Sequence, residues 1–351
     1  MKKRLLAMIL GLAMALSLAG CAGTGDETMA NETTTQSEVV GTTAAPETTP
    51  EEVEEGALVR IGSLKGPTSM GLVQLMDKAS KSETTNTYEF TMAAAADEIN
   101  AAFIKGDLDI VLIPANVASV LYNKTGGEVV VLNINTLGVL YILESGETIQ
   151  SVADLAGRTI YLPGKGTTPD YALQYLLAQN GLTTEDVDLQ YKSEGTEVIA
   201  ALGQDAEAIG LLPQPAATVA TVQNENLRIA LNLTEEWDKV SDDSSLLTGV
   251  TLVRKAFLEE NESAVQLFLA DHAASTVYTN ENVQEAAEMV AALGIVPKAP
   301  IAVKAIPYCN IVCVTGEDMK AALSGYLSVL ADQNAQSVGG ALPGDDFYYI
   351  P

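Results

Sequence analysis

Apolar positions along this chain fall into two rhythms that alternate. Short runs suited to strands, Val59–Leu64, Tyr88–Met92, Leu108–Ile113 and Val129–Ile134, are separated by stretches with helical spacing such as Ala95–Lys105, where Ile99 and Phe103 point inward. The pattern then restarts. Strand-like Thr159–Leu162, Val187–Tyr191, Ala208–Leu212 and Leu227–Leu233 interleave with helices near Ile149–Leu155, after Pro169, at Val198–Leu202 and after Pro215. Leu108–Ile113 and Ala208–Leu212 are apolar throughout, as strands covered on both faces are. Alternation of this kind predicts an α/β chain with parallel sheets. Two further apolar runs, Leu137–Leu143 and Leu246–Val253, have no helix where the alternation calls for one. They bracket the middle of the chain and are expected to cross between two lobes. One lobe is then discontinuous, 58–140 plus 250–351, and the other is 141–249. Beyond Val253 the pattern is mostly helical to Ala331, and Asp345–Ile350 is expected to dock on the first lobe.

Two strand-to-helix turns stand out. In Val59–Met76 the strand breaks at Lys65-Gly66-Pro67-Thr68-Ser69, and Met70, Val73, Leu75 and Met76 resume at helical spacing. Thr68 or Ser69 is expected to cap that helix. In Arg158–Leu177 the turn is Pro163-Gly164-Lys165-Gly166, Thr167 or Thr168 caps, and Pro169 suits the first helical turn. Helix starts of this kind offer backbone N–H groups to a polar or anionic group. Each is equally an ordinary hydroxyl-capped turn, and the argument for a site rests on there being two, placed alike in two halves.

The first residues stand apart from this alternation. Lys2, Lys3 and Arg4 precede an apolar run, Leu5–Leu18, which ends at Leu18-Ala19-Gly20-Cys21. Residues 1–20 are therefore expected to be a secretory signal peptide, and the Cys after Leu-Ala-Gly resembles a bacterial lipobox with Cys21 as the lipidated residue. Residues 22–57 hold nine acidic residues, no Lys or Arg, and little aliphatic bulk, as an unfolded tether does. Its typical span is about 30–35 Å. Removing the three basic residues of the leader and the nine acidic ones of the tether leaves 16 basic against 37 acidic residues, a net charge of −21. That balance argues against nucleic acid as a partner.

Candidate chemistry is sparse. The single histidine, His272, lies in a late helical run, and no Ser–His–Asp set, HExxH, CxxC or P-loop is present. Cys309 and Cys313 would lie on one face of a strand about 13 Å apart, too far for a disulfide. No metal site, cofactor or catalytic residue is expected. Trp237, in an acidic stretch, is read as a surface residue.

Lipobox, tether, two α/β lobes and two crossovers, with Ile61-Gly-Ser-Leu-Lys-Gly-Pro-Thr-Ser-Met-Gly71, the run AAFIKGDLDIVLIPAN ending at Asn116, and Val152-Ala-Asp-Leu-Ala-Gly-Arg-Thr-Ile160, carry a resemblance. The chain resembles the solute-binding lipoproteins of ABC importers with the type II periplasmic-binding fold, and within them the nitrate/sulfonate/taurine and thiamine-pyrimidine-precursor branch. The resemblance implies a two-lobed fold hinged on two crossover strands. It implies no enzymatic activity, a small organic or anionic nutrient as ligand, and an ABC permease as partner. It also implies a monomer anchored by lipid on the extracytoplasmic face of a bacterial cell membrane. Open α/β sheets bind beyond the carboxyl ends of their strands. On that rule the ligand-binding candidates are Lys65, Pro67, Thr68, Ser69, Met70 and Asn116 in one lobe, Gly138 at the crossover, and Gly166, Thr167, Thr168 and Gln214 in the other. Lys65 and Lys165 suit an anion, whereas Met70 and the flanking prolines suit a flat organic solute. A ligand-sensing lipoprotein without a transport role, or a vitamin-precursor enzyme on the same fold, are the alternatives.

Overall fold

The computed structural model describes residues 56–351 apart from Ala95 and Ala206. The signal peptide, Cys21 and the tether up to Glu55 lie outside the described residues.

The chain opens with β1 (Leu58–Leu64), a short helix α1 (Pro67–Met70), α2 (Val73–Ser80), β2 (Thr87–Ala93), α3 (Ala96–Lys105), β3 (Ile110–Pro114), α4 (Ala115–Thr125) and β4 (Val129–Leu137). It continues through β5 (Leu140–Ser145), β6 (Thr159–Pro163), α5 (Thr168–Gln179), β7 (Asp188–Lys192), α6 (Gly195–Leu202), β8 (Ile209–Pro213), α7 (Ala216–Gln223), β9 (Leu227–Asn232) and α8 (Leu233–Val240). It closes with β10 (Leu247–Arg254), α9 (Lys255–Glu260), α10 (Glu262–Glu281), α11 (Val283–Ala292), α12 (Ala299–Ala305), β11 (Ile311–Val314) and α13 (Gly316–Gln333). One sheet has the order β11-β4-β10-β3-β1-β2 and the other β7-β6-β8-β5-β9.

The sheets are mixed, where the alternation predicts parallel ones. β1, β2 and β3 pair in parallel, but β10 runs antiparallel to β3 and β4, and β5 runs antiparallel to β8 and β9. The reason is topological. A strand that arrives from the other sheet enters at the carboxyl ends of its new neighbours and must run backwards. Leu140, at the start of β5, sits opposite Pro213 at the end of β8, and Leu247, at the start of β10, sits opposite Leu137 at the end of β4. The carboxyl ends of both sheets therefore meet at the Gly138–Val139 step.

Several elements differ from the pattern. The run Leu137–Leu143 is split between β4 and β5 by Gly138-Val139. The helix after β1 is broken at Gly71-Leu72 into α1 and α2. Cys309 precedes β11 and is fully buried, while Cys313 is half-buried, and both are free. Trp237 is buried, not superficial: its Nε1 donates to Ser244 Oγ at 2.9 Å, and its ring lies 4.1 Å from that of Tyr175. The helical period carries Trp237 to the inner face of α8 despite its acidic neighbours. At the tail, Phe347 is fully buried and Tyr349 N donates to Val131 O at 2.9 Å. Among the described residues no helix is long and apolar enough to cross a membrane.

Candidate site at the strand ends

The turn after β1 is built differently from the capping expectation. α1 begins at Pro67, with Gly66 (φ 154°) before it and no side-chain cap. Proline presets the first helical φ, so the helix starts one residue before Thr68. Thr68 and Ser69 then fall inside the first turn, and both hydroxyls donate back to Leu64 O, Thr68 at 3.1 Å. Ser63 Oγ lies 2.7 Å from Ser69 Oγ. Thr68 and Ser69 are buried, and Met70 is fully buried in a cluster with Val73, Ala286 and Val290. Pro67 is half-buried and Lys65 is exposed. A Cβ added at Gly294 would lie 4.0 Å from Lys65 Nζ, which places that ammonium beside the loop after α11.

Across the sheet, β10 presents Gly249 beneath this turn. A Cβ there would stand 2.6 Å from Thr68 Cγ2 and 2.5 Å from Asn135 Oδ1. Asn135 is buried, accepts from Thr136 Oγ1 at 2.9 Å and donates to Thr251 Oγ1 at 3.2 Å. Thr68, Asn135, Thr136 and Gly249 thus meet at the end of the first sheet. Asn116 is not with them: it lies inside α4, behind an N-cap at Pro114, with its Nδ2 3.4 Å from Ser337 O.

The second turn holds its own carboxylate. Thr167 is the N-cap residue of α5, but its hydroxyl donates to Gly164 O at 2.6 Å and not to the helix. Gly166 (φ 73°) donates its N–H to Asp170 Oδ2 at 2.8 Å. Asp170 is 2% exposed, and its Oδ1 accepts from Gln174 Nε2 at 2.7 Å and Tyr191 OH at 2.9 Å. Sequence reasoning passed over Asp170, although Thr167-Thr168-Pro169-Asp170 has the spacing of a capping box. The Thr168 hydroxyl is hydrogen-bonded to the Tyr326 phenol of α13. Lys165 is exposed, with Nζ 5.3 Å from the centre of the Tyr191 ring.

At the crossover, Gln214 N donates to Val139 O at 2.9 Å, and the Gln214–Pro215 peptide is cis. Gln214 is 2% exposed. Its Oε1 accepts from Thr218 Oγ1 at 2.8 Å, while its Nε2 is buried without a partner among the described residues. Thr234 Oγ1 is likewise buried and unpartnered. It abuts Gly138, where an added Cβ would lie 2.2 Å from it and 2.8 Å from Leu246. Asn310 O accepts from Leu137 N at 3.0 Å, and Asn310 Nδ2 donates to Gly138 O. Gly138 is thus held from both sides. Thr234 and Asn310 carried no signal in the sequence, because both act through chain segments far from the turns. A groove of about 620 Å³ opens beside this point, lined by Thr218, Thr221, Val303, Lys304, Pro307 and Tyr308 among others.

His272 stands behind the first turn, not at the strand ends. It is fully buried, with Nδ1 3.1 Å from Asn133 Nδ2, and burial pushes its pKa down to about 4.

The fold is that of the periplasmic binding proteins, solved structures of which superpose on most of this chain. Residues 80–244 match the family model described as ABC transporter, phosphonate, periplasmic substrate-binding protein. An ABC transporter from Parabacteroides distasonis superposes with a TM-score of 0.71 at 22% identity, over 84% of this chain and 98% of that one. The periplasmic aliphatic sulphonate binding protein SsuA from Escherichia coli gives 0.66 at 18%, over 83% and 96%. The alkanesulfonate-binding protein SsuA from Xanthomonas axonopodis pv. citri, bound to MOPS, gives 0.60 at 17%, over 83% and 96%. No curated protein matches the chain.

Proposed function

We propose that this chain captures a small nutrient solute between a lobe of residues 58–140 plus 250–351 and a lobe of residues 141–249. It closes by rotation about the two crossovers and presents the closed form to a membrane permease, as a monomer held at the extracytoplasmic face by lipid on Cys21. The observation that carries this reading is the meeting of both sheets' carboxyl ends at Gly138–Val139, with Leu140 opposite Pro213 and Leu247 opposite Leu137. Ligands of open α/β sheets lie beyond such ends.

Gln214 is assigned the leading contact. A buried donor without a partner costs about 1–3 kcal/mol, so a solute that accepts from its Nε2 stabilises the closed form over the open one. Thr234 Oγ1 has the same need. Thr68, Ser69, Gly166, Thr167 and Thr168 shape the two rims, and Pro67 and Gly138 let the chain approach closely. The role is binding without chemistry, since the one histidine is buried behind α1 and unable to reach a solute.

The test uses protein stripped of carried-over solute by partial unfolding and refolding. The low-molecular-mass filtrate of rich growth medium is added, and melting temperature and radius of gyration are followed. Ligand at 100 times its Kd adds about 2.7 kcal/mol of stability, a shift of a few degrees. The reading expects a higher melting temperature, a smaller radius, reversal on dialysis, and a weaker response in Gln214→Leu. An unchanged melting temperature and radius would sink it.

A further inference from the structure

The two lobes are joined by different chemistry on their two sides. On one side α13 packs on β4 and α4 of the first lobe and also against α5 of the second. A single buried cluster runs through Ile134 of β4, Leu323 and Leu330 of α13, Leu173 of α5 and Trp237 of α8. The Trp237 ring lies 4.1 Å from that of Tyr175 and 5.9 Å from that of Tyr326, and both Trp237 and Tyr326 are buried. At the end of α13, Asn334 Nδ2 donates to Tyr171 OH at 2.9 Å. A Cβ added at Gly325 would stand 2.2 Å from Asp243 O, so α13 lies directly on the chain that leads into β10.

On the other side, α7 of the second lobe faces α12 of the first, and their buried residues fall in two separate clusters. Those of α12 pack with Met70 and Val290, and those of α7 with Tyr141 and Leu202. The groove of about 620 Å³ runs between the two helices. Its walls include Thr218 and Thr221 of α7 and Val303 and Lys304 of α12, and Tyr308 lines it while 46% exposed. Tyr141 OH donates to Tyr308 O at 2.7 Å, and the two rings meet edge to face at 6.0 Å. Thr218 Oγ1 donates to Gln214 Oε1 at 2.8 Å, so the groove leads to the residue whose Nε2 is buried and unpartnered.

The two sides differ in what it takes to part them. Separating the α13 seam would wet aromatic side chains that bury about 150–250 Å² each. Widening the groove breaks one hydrogen bond, whose partners water can satisfy, and wets a ring that is already half exposed. The easier motion leaves the seam packed. We infer that the lobes turn about the α13 seam, and that the gap between α7 and α12 is the side that opens to the solute. The inference rests on the solute-binding reading above and names how that same site opens. α13 is then a third hinge element beside the two crossovers, and Tyr308 stands at the port.

The test is amide hydrogen exchange, read by mass spectrometry on the full chain, stripped as above, with and without the growth-medium filtrate. Trp237 is the chain's single tryptophan, so acrylamide quenching of the stripped protein alone reports on the seam. The filtrate is expected to slow exchange about tenfold in α7 and α12 and to leave α13 and α8 unchanged. Trp237 in the stripped, folded protein should be shielded from acrylamide, in contrast to the same protein in urea. Tyr141→Phe, which removes the bond to Tyr308 O and keeps the ring, should speed exchange in α7 and α12 with filtrate present and spare α13. Slowing concentrated in α13 and α5 would overturn the inference and leave the binding reading standing. So would a higher melting temperature with no slowing in α7 and α12, or ready quenching of Trp237 in the folded protein. A filtrate that changes neither melting temperature nor exchange removes the binding reading and the inference together.

Discussion

His272 illustrates what burial does to one side chain. Its ring is fully enclosed between Phe268 and Asn133, and its pKa falls to about 4 because the imidazolium cannot be solvated there. In the unfolded chain the same group titrates near 6.5. The unfolded state therefore takes up the proton first. Stability from the neutral ring is complete above pH 6.5 and is lost as pH falls from 6.5 towards 4, by about 3 kcal/mol over that interval. Denaturant unfolding at pH 6.5, 5.5 and 4.5 should show this slope, and His272→Asn should flatten it. An identical slope in the variant would assign the acid lability to other groups. The sequence placed His272 in a late helix and outside any catalytic set. It did not reveal Asn133 as its partner, because that contact joins residues 139 apart in the chain.

Among elements, the crossover between β4 and β5 is the most constrained. Apolar patterning marked 137–143 as one run, yet the chain needs two residues to leave one sheet and enter the other in reverse. Gly138 is one of them, and its missing side chain makes room for Thr234 and Leu246. Gly138→Ala should cost about 1–3 kcal/mol by overpacking. Thr234→Gly, which clears the nearest atom, should return part of that loss in the double variant. Urea unfolding of the four proteins measures the coupling, and strictly additive losses would refute the steric account. The α1 turn teaches the same lesson on capping. Thr68 and Ser69 have the composition of caps, but Pro67 takes the first helical position and turns both hydroxyls back to Leu64.

At the scale of the molecule, one sheet is assembled from segments separated by the whole of the other. Asp109 ties this assembly together at the end of the sheet away from the site. It accepts from Arg60 N at 3.0 Å, Nε at 2.9 Å and Nη2 at 2.8 Å, and from Arg254 on the returning strand β10. Burial alone pushes its carboxyl up, and the hydrogen bonds from Arg60 and Arg254 outweigh that and hold it below the usual range. Its contribution is therefore present above pH 4 and lost only as pH falls below that. Asp109→Ala leaves two partly exposed guanidinium groups without their carboxylate, and losing hydrogen bonds to a charged group costs about 1.5–3 kcal/mol. The loss should appear in equilibrium unfolding at neutral pH. It should leave the response to the growth-medium filtrate intact in the folded fraction, since the residue lies at the far end from Gln214. A weakened response without loss of stability would contradict this placement.

What the sequence determined by itself was the succession of elements and the sites of their breaks. Strand and helix periods are local properties, and so are the Gly-Pro and Pro-Gly turns at Gly66-Pro67 and Pro163-Gly164. The resemblance to solute-binding lipoproteins rested on motifs that are likewise local. Strand direction, the partners of Gln214 and Thr234, the burial of Trp237 and the carboxylate behind Gly166 were decided only in three dimensions. Each depends on which segments the reversed crossover strands bring side by side, and hydrophobic periodicity carries no information about pairing between segments a hundred residues apart.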